Sequence, residues 1–448
     1  MLYFSVCNKA QGDMLFKQPI LWLIIPFIFL NLVFSVNGYS QTTNKASTTK
    51  KCLIVSDIHF DPLYGSHSDS ALKRKLGNTS FEEWKIFFES SKAQMTVNTS
   101  LLFRDANYGI LQSALNNMQT KLPHPAFIII AGDFIWHGAK PADSVLKKKT
   151  ILFIARLFKE RFPGVTIIPA MGNNDTYGPD YALQDPKFLN DFANAWSPNL
   201  PKRAGEELKA QGYYTCTIGK LKIMVLNSAL LNSGTSYSQA GTMLNWLQTS
   251  LAKTDDKNVW LLTHIPPGLN VYNNSNFWNV GYTQTFINTV VKYSSKVKLC
   301  IASHTHFNDF RVFYNAANGP VSYMRIVPSI CSNHGNNPSF EIAAFNDATG
   351  RLIKETNYYL NLAAISKDKS TGPFYWNDTL SLPSIFKSGE ITAAGFSKFI
   401  GDVKADQSYK LLDGYRKFYT VGTNIDSSIR INRVNYLKYL KADSLKGE

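Results

Sequence analysis

The sequence has few cysteines, and their placement excludes small folds that are built around a metal. There are five in 448 residues. None is spaced as C-x-x-C or lies at zinc-finger distance from a histidine, so a structural zinc module is not expected. Cleavage of an N-terminal leader would remove Cys7 and leave four. In an exported protein these four permit one or two disulfides, with buried thiols as the alternative: Cys52, Cys216, Cys300 and Cys331.

Acidic residues are scarce relative to basic ones. The sequence has 47 Lys and Arg against 32 Asp and Glu, a formal net charge of +15. This excess favours anionic partners: a phosphate-ester small molecule, a lipid headgroup, the surface of an anionic membrane or nucleic acid. The longest basic runs, at residues 73–75 and 147–149, are short, so no dedicated nucleic-acid module is expected. Solubility alone is the alternative explanation of the charge.

Long hydrophobic runs are missing after the first forty residues. The only one, Pro19–Val36, follows two lysines and precedes small residues, which is the pattern of a secretory signal. We therefore predict a cleaved signal peptide over residues 1–38 and a secreted protein, or a periplasmic one if the source is bacterial. Pro26 and Asn31 interrupt the run, and an uncleaved membrane anchor is the alternative. A polar Ser/Thr linker is predicted over residues 39–50.

From residue 51 onward, short apolar runs alternate with segments of helical periodicity. Continuous β-branched runs are typical of strands buried on both faces, so the pattern predicts an α/β fold. The predicted helices include Asn107–Lys121, Asp143–Phe162 and Thr242–Lys253. The runs "SYMRIVPSI", "FEIAAFND" and "RLIKETNYYLNL" have no helices between them and suggest an added antiparallel sheet. The domain is predicted over residues 51–363 and a C-terminal helical subdomain over residues 364–448.

Histidines, acids and one amide follow the predicted strands directly, at the edge where ligands bind in α/β sheets. If these side chains were buried separately, each would be an unpaired polar group, which is costly. Two divalent cations would satisfy them together, and imidazole with carboxylate suits zinc first, with manganese or iron possible. Asp133 is the candidate for a carboxylate that bridges the two ions. The predicted metal ligands are Asp57, His59, Asp133, Asn173, His264, His304 and His306.

The order D-x-H, GD, GN-x-D, H and H-x-H resembles the calcineurin-like metallophosphoesterases from residue 57 to residue 306. The resemblance implies a four-layer β-sandwich flanked by helices. It also implies hydrolysis of a phosphoester by a hydroxide that bridges two metals. One metal would be held by Asp57, His59, Asp133 and His306, and the other by Asp133, Asn173, His264 and His304.

Further segments narrow the resemblance to the acid sphingomyelinase-like phosphodiesterases. "SDIHFDPLYG" looks like their D-x-H-x-D-P opening, and His137 matches a histidine that they carry. "ANAWSPNL", "QGYYTCTI" and "THIPPG" continue the likeness. A purple acid phosphatase would have tyrosine where this chain has Trp136. The resemblance implies a secreted phosphodiesterase that acts on a phosphodiester or phosphoanhydride, with a sphingomyelin-like, choline-type or nucleotide substrate.

Three departures from that family pattern bear on activity. Asn174 replaces a histidine that contacts phosphate and protonates the leaving group, help that is typically worth about 10²–10⁴-fold. His137 is the predicted substitute for this acid. The alternatives are a weak or inactive protein that binds phospholigands, or a phosphomonoesterase or nuclease on the same scaffold. Ser303 replaces a glycine without removing a ligand. The family's cysteine-rich lipid-binding module is missing, which favours soluble substrates.

Overall fold

The structure is a computed structural model that describes residues 49–234, 238–270, 273–366, 369–382, 391–408, 410–423 and 440–442. The predicted signal peptide and most of the predicted linker therefore lie outside the described residues. Twelve strands are named in chain order: β1 (Thr49–Val55), β2 (Ile128–Ile130), β3 (Ile167–Pro169), β4 (Tyr214–Ile218), β5 (Leu221–Val225), β6 (Val259–Leu262), β7 (Val297–Ala302), β8 (Asp309–Tyr314), β9 (Pro320–Ile326), β10 (Ser339–Asn346), β11 (Leu352–Tyr359) and β12 (Asp378–Ser381).

Eleven α-helices connect or flank these strands in the part of the chain that is described. Three of them cover the predicted helices: α4 begins after its capping residue Asn107, and α8 begins four residues before the predicted start. The helices are α1 (Ser70–Asn78), α2 (Phe81–Ser90), α3 (Lys92–Met95), α4 (Tyr108–Lys121), α5 (Ser144–Arg161), α6 (Pro186–Trp196), α7 (Lys202–Gln211), α8 (Ser238–Lys253), α9 (Val280–Lys292), α10 (Ala393–Ala405) and α11 (Lys410–Tyr419).

The strands form two six-stranded sheets. The first has the order β12-β11-β10-β1-β2-β3 and the second the order β4-β5-β6-β7-β9-β8. Each sheet contains a run of parallel neighbours: β1, β2 and β3 at one side of the first sheet, and β5, β6, β7 and β9 in the second. Parallel neighbours end at the same edge, so the residues that follow β1, β2 and β3 emerge side by side, as do those that follow β6 and β7.

The two sheets pack face to face through large aromatic side chains. Trp260 on β6 meets Phe345 on β10 with ring centroids 5.2 Å apart, and it meets Phe127, just before β2, at 5.9 Å. Leu244, from α8, and Phe286, from α9, join a separate apolar cluster with second-sheet residues. Helices α4 and α5 belong to the larger core with the first sheet. The predicted α/β fold, with two sheets between helices, is confirmed.

The prediction of a separate antiparallel sheet is wrong. The first of the three late runs forms β9, which lies between β7 and β8 in the second sheet. The other two form β10 and β11, which extend the first sheet because β10 pairs antiparallel with β1. The late runs extend both existing sheets instead of forming a third. The composition of a strand indicates how buried it is but does not indicate which strand it pairs with, so this arrangement could not be predicted.

The C-terminal region contributes both a strand and helices. β12 pairs antiparallel with β11 at the edge of the first sheet. Phe396 of α10 packs on Phe310 of β8 with ring centroids 4.5 Å apart. The boundary at residue 363 stays a prediction. At the other end, β1 begins at Thr49, two residues inside the predicted linker.

All four cysteines predicted to remain after cleavage are buried as free thiols, so the disulfide alternative is not realised among the described residues. Burial raises the pKa of the Cys216 thiol to about 12, which makes it unreactive. The described residues include no helix that is both long and apolar enough to cross a membrane.

Candidate metal centre

The seven predicted ligands come together at one edge of the two sheets. Asp57 and His59 follow β1, and Asp133 follows β2. Asn173 follows β3, His264 follows β6, and the His304/His306 pair follows β7. All except His304 are buried. In each of three groups of residues, the nitrogen and oxygen ligand atoms lie within 4.8 Å of one another: Asp57, His59 and Asp133; Asp133, His264 and His304; and His59, His306 and His137.

Five of these residues have a left-handed backbone, which non-glycine residues rarely adopt. Their φ angles lie between 39° and 72°. Each such conformation costs roughly 1–3 kcal/mol and persists only where the surroundings enforce it. The sharp turns aim the side chains back across the ends of the strands instead of along them. The five are Asp57, His59, Asp133, His304 and His306.

The Asp133 carboxylate is at the centre of the cluster. Its Oδ2 lies 3.1 Å from His264 Nε2 and 3.4 Å from His59 Nε2. A side chain at Gly172 would occupy the same space, because a Cβ there would lie 2.0 Å from Asp133 Oδ1. The glycine that precedes Asn173 is therefore required for the close approach of the two loops.

Two ligand atoms in the cluster have no hydrogen-bond partner. Asp57 Oδ1 and His59 Nε2 are buried, and among the described residues neither is hydrogen-bonded. They lie 3.9 Å apart, and His306 Nε2 is 3.5 Å from the same Asp57 oxygen. Buried polar atoms normally find a partner, so this arrangement fits a bound cation that would accept all three lone pairs.

The other side of Asp133 is an amide–imidazole group. Asn173 Oδ1 lies 3.1 Å from His264 Nε2, and its amide nitrogen donates to Asp180 Oδ1 at 2.7 Å. This second bond turns the amide oxygen toward the cluster, where it can serve as a metal ligand. His304 Nε2 is 3.0 Å from the Tyr181 hydroxyl.

Hydrogen bonds behind the ligands fix their orientation. His59 Nδ1 donates to the carbonyl of Ile135, and His264 Nδ1 donates to the carbonyl of Ala131, both at 2.8 Å. Each bond leaves Nε2 as the nitrogen that faces the cluster, as a metal ligand requires. The Ser303 hydroxyl donates to the same Ala131 carbonyl at 2.9 Å. The serine that replaces the family's glycine therefore supports the His264 loop.

Asp175 holds together the loops that follow β2 and β3. Its carboxylate accepts hydrogen bonds from the backbone nitrogens of Asp133 and Gly172, both at 2.8 Å, and of Phe134 at 2.9 Å. Burial, together with the neighbouring charge of Asp133, raises the pKa of Asp175 to about 7. The acid of the GN-x-D motif is thus a positioning group behind the ligands.

The electrostatics of the cluster are those of acids and imidazoles without a permanent cation. Burial raises the pKa of Asp57 to about 6 and lowers the pKa of His59 to about 4. Burial also works to lower the pKa of His264, but the charge of Asp133 outweighs it and the pKa rises to about 9. Bound divalent cations would favour deprotonation at all three positions.

His137 joins the cluster from the loop after Asp133. Its ring stacks on His59 with centroids 3.8 Å apart. Its Nδ1 donates to Asp105 Oδ1 at 2.6 Å, and its backbone nitrogen donates to the other Asp105 oxygen at 2.7 Å. Sequence reasoning missed Asp105, which lies in the loop before α4 and belongs to no recognisable motif.

The Asn174 side chain is turned toward the cluster. Its backbone nitrogen donates to Asp133 Oδ1 at 2.9 Å and its amide nitrogen to Asp133 Oδ2 at 3.1 Å. The residue is only 8% exposed. The position at which the family has histidine is therefore occupied by a group that holds the central carboxylate.

Other histidine and aromatic side chains of the strand-end loops divide between the site and the core. His334 packs edge-on against His306 with centroids 4.4 Å apart. Trp136 and Trp278 are buried core residues, and Tyr177 packs on Phe188. His67 is exposed, and its Nε2 lies 2.6 Å from the buried Asp61 carboxylate.

Comparison with known proteins agrees with this geometry. The family described as "Calcineurin-like phosphoesterase" matches residues 50–308, more than half of the chain. A sphingomyelinase phosphodiesterase C of Dictyostelium discoideum is 26% identical over 372 residues, which cover 77% of this chain and 78% of that protein. Human acid sphingomyelinase-like phosphodiesterase 3b is 24% identical over 330 residues, which cover 68% and 71%.

A third relative, the human cyclic GMP-AMP phosphodiesterase SMPDL3A, is 24% identical over 330 residues, which cover 69% of this chain and 70% of that protein. These matches confirm the predicted resemblance and the assignment to the metal-dependent phosphoric diester hydrolases. The family implies divalent metals, and the Asp/His cluster is suited to hold them. The chain belongs to the calcineurin-like phosphoesterase family.

Proposed function

We propose that the protein is a two-metal phosphodiesterase that hydrolyses a soluble phosphodiester or phosphoanhydride. The observation that carries this proposal is the pair of buried, unpartnered ligand atoms, Asp57 Oδ1 and His59 Nε2. They lie in a cluster that has four further imidazoles and a second carboxylate. Such a set is costly without a cation and favourable with one.

The distances support a division of the ligands around Asp133. Asp57, His59 and His306 lie on one side of this carboxylate, and Asn173, His264 and His304 on the other. Asp133 would contribute to both groups. Two divalent cations, when bound there, would lower the pKa of water and neutralise the phosphoryl oxygens. Imidazole and carboxylate ligands suit zinc first, with manganese or iron as alternatives.

Protonation of the leaving group is assigned to His137. Burial works to lower the pKa of His137, but the hydrogen bond and charge of Asp105 outweigh it and the pKa is raised. Its Nδ1 is held by Asp105, so Nε2 is the nitrogen that would deliver the proton. A histidine held in this way is a suitable general acid. Asn174 supports this assignment because its amide donates a hydrogen bond to Asp133 and is too weak an acid to protonate a leaving group.

The names of the relatives suggest two kinds of substrate. Those proteins are named for sphingomyelin and for cyclic GMP-AMP, both of which are phosphodiesters. We favour a soluble diester for this chain, of the kind for which the cyclic GMP-AMP phosphodiesterase is named. Export through the leader at residues 1–38 belongs to the same proposal.

A binding protein without turnover is the second candidate, and Asn174 is the observation that favours it. Hydrolysis of bis-p-nitrophenyl phosphate with added Zn²⁺ or Mn²⁺ decides between the two. This diester has a good leaving group, so it tests the centre with little dependence on an acid. We expect metal-dependent release of nitrophenol that the Asp133→Ala variant loses. Metal binding without release would favour the binding protein.

A further inference from the structure

A polar cavity of about 450 Å³ opens beside His137, and none of the seven predicted metal ligands lines it. This volume lies within the usual range for pockets that hold small molecules. Its walls include the His137–Asp105 pair and four side chains that the proposed mechanism does not use: Tyr64, His67, Phe103 and Arg104.

The position of the cavity identifies which part of a substrate it would hold. If His137 protonates the leaving oxygen, as the proposed function states, the leaving group must lie on the His137 side of the phosphorus. We propose that the cavity is the leaving-group site, and that Arg104 and Phe103 select leaving groups that combine a flat ring with negative charge. This is the chemistry of a nucleotide and differs from that of choline.

The charges in the cavity support an anionic occupant. Both carboxylates in its walls are already engaged: Asp105 with His137 and Asp61 with His67, each at 2.6 Å. Arg104 is exposed, and within the described segments no carboxylate pairs with its guanidinium. Arg104 is the one permanent cation among the residues that line the cavity. A quaternary ammonium would be repelled there, whereas a phosphate or carboxylate would be attracted.

Phe103 supports a flat ring. Its side chain is 47% exposed, and its backbone has a left-handed φ of 62°, a costly conformation for an aromatic residue. Two features enforce it. The Phe103 nitrogen donates to the Ser332 carbonyl at 2.7 Å, and a Cβ at Gly335 would lie 2.7 Å from the ring. The strain thus presents an aromatic face to the cavity, where rings stack favourably.

Three methyl aryl phosphates test the proposal directly. All share the p-nitrophenol chromophore; one is unsubstituted, one has a carboxylate on the leaving ring and one has a trimethylammoniomethyl group. We expect kcat/KM to be highest for the carboxylate and lowest for the cation. The size expected for one partly exposed ion pair is about fivefold relative to the neutral ring.

Two variants compare the loss of an arginine in the cavity with the loss of an arginine elsewhere on the surface. In Arg104→Ala the ratio of the anionic to the neutral substrate should fall to about one. In Arg203→Ala, which removes the same charge from an exposed residue on α7 that pairs with Glu207, the ratio should be unchanged. Phe103→Leu should weaken all three aryl substrates relative to dimethyl phosphate. An unaltered ratio in Arg104→Ala, or a wild-type preference for the cation, would overturn the proposal.

A binding measurement separates this proposal from the proposed function. Ligand-observed NMR with the free phenol 5-hydroxy-2-nitrobenzoate needs no turnover. If the protein hydrolyses nothing but binds this phenol in an Arg104-dependent way, the leaving-group site stands and the catalytic proposal fails. If hydrolysis is metal-dependent but the phenol binds equally to Arg104→Ala, only the leaving-group site fails.

Discussion

Two buried clusters of charged and polar residues in the described part of the chain differ in how their charge is balanced. Around β8 to β11, Arg325 pairs with Glu355, with Nε 2.9 Å from one carboxylate oxygen and 3.0 Å from the other. Arg311 pairs with Asp309 at 2.7 Å. Burial, and then the charge of Glu355, raises the pKa of Glu341, so this third acid is neutral. Each permanent cation there has its own anion.

The cluster at the ends of the strands has carboxylates and imidazoles but no permanent cation. Buried atoms without a hydrogen-bond partner occur in both clusters of the described chain, Asp57 Oδ1 and His59 Nε2 here and Arg311 Nε there, so the difference lies in the permanent cations. The comparison teaches that burial of acids does not by itself indicate a site. A set that balances its own charge stabilises the fold, whereas a set that requires an external cation indicates a ligand.

The largest effect expected from this comparison is on stability. Arg325→Met removes the cation and leaves Glu355 buried without its partner. We expect a loss of about 3–5 kcal/mol in the free energy of unfolding, measured by urea titration. Arg203→Ala, an exposed arginine that also pairs with a glutamate, should cost no more than about 0.5 kcal/mol. Equal effects of the two variants would contradict the structural role of the inner cluster.

Removal of divalent metal should destabilise the protein through the other cluster alone. With free metal at about a hundredfold excess over Kd, binding contributes about 2.7 kcal/mol, which chelation would remove. The melting temperature should therefore fall when EDTA is added to wild-type protein. Asp133→Ala should already melt at the lower temperature and should not respond to EDTA. A wild-type melting temperature that is independent of chelation would show that metal does not bind this cluster.

The assignment of the acid predicts a dependence on the leaving group. His137→Gln should lower the hydrolysis of a diester with an alkyl leaving group by about 10²-fold, because the departing oxygen then lacks its proton donor. Bis-p-nitrophenyl phosphate should lose much less, since nitrophenolate leaves without protonation. Metal content should be unchanged in the variant. A loss of metal together with equal losses on both substrates would instead identify His137 as a ligand.

The smallest predicted effect is a gain. Asn174→His restores the side chain that the family carries, and we expect about a tenfold higher kcat on the alkyl diester and little change on the nitrophenyl diester. Asn174→Ala is the matched control, since it removes the hydrogen bond to Asp133 without supplying an acid. It should lower activity on both substrates. If Asn174→His lowers both rates in the same way, the amide and not the missing proton controls turnover.

The sequence predicted the parts of the site that follow strands. The ligands Asp133 and Asn173 could be placed together because neighbouring parallel strands end at a shared edge, and the structure has those strands as β2 and β3. Asp105 could not be predicted, because it reaches His137 from a loop that no periodicity locates. The position of β9 between β7 and β8 could not be predicted either, because strand pairing is set by tertiary packing.

The role of Asn174 also required coordinates. Its sequence position indicated a lost acid, whereas its two hydrogen bonds to Asp133 indicate a support for the central carboxylate. Likewise, the pairing of His67 with the buried Asp61 depends on the turn between them. Local spacing gave the identity of these residues, and long-range packing gave their contacts.

The most direct test of the central claim is anomalous X-ray diffraction at the zinc edge from crystals of the protein equilibrated with Zn²⁺. We expect two anomalous peaks, one on each side of the Asp133 carboxylate, with Asp57 and His59 bound to one ion and His264 to the other. No peak within this cluster, or a single peak that leaves Asp57 and His59 without a ligand, would contradict it.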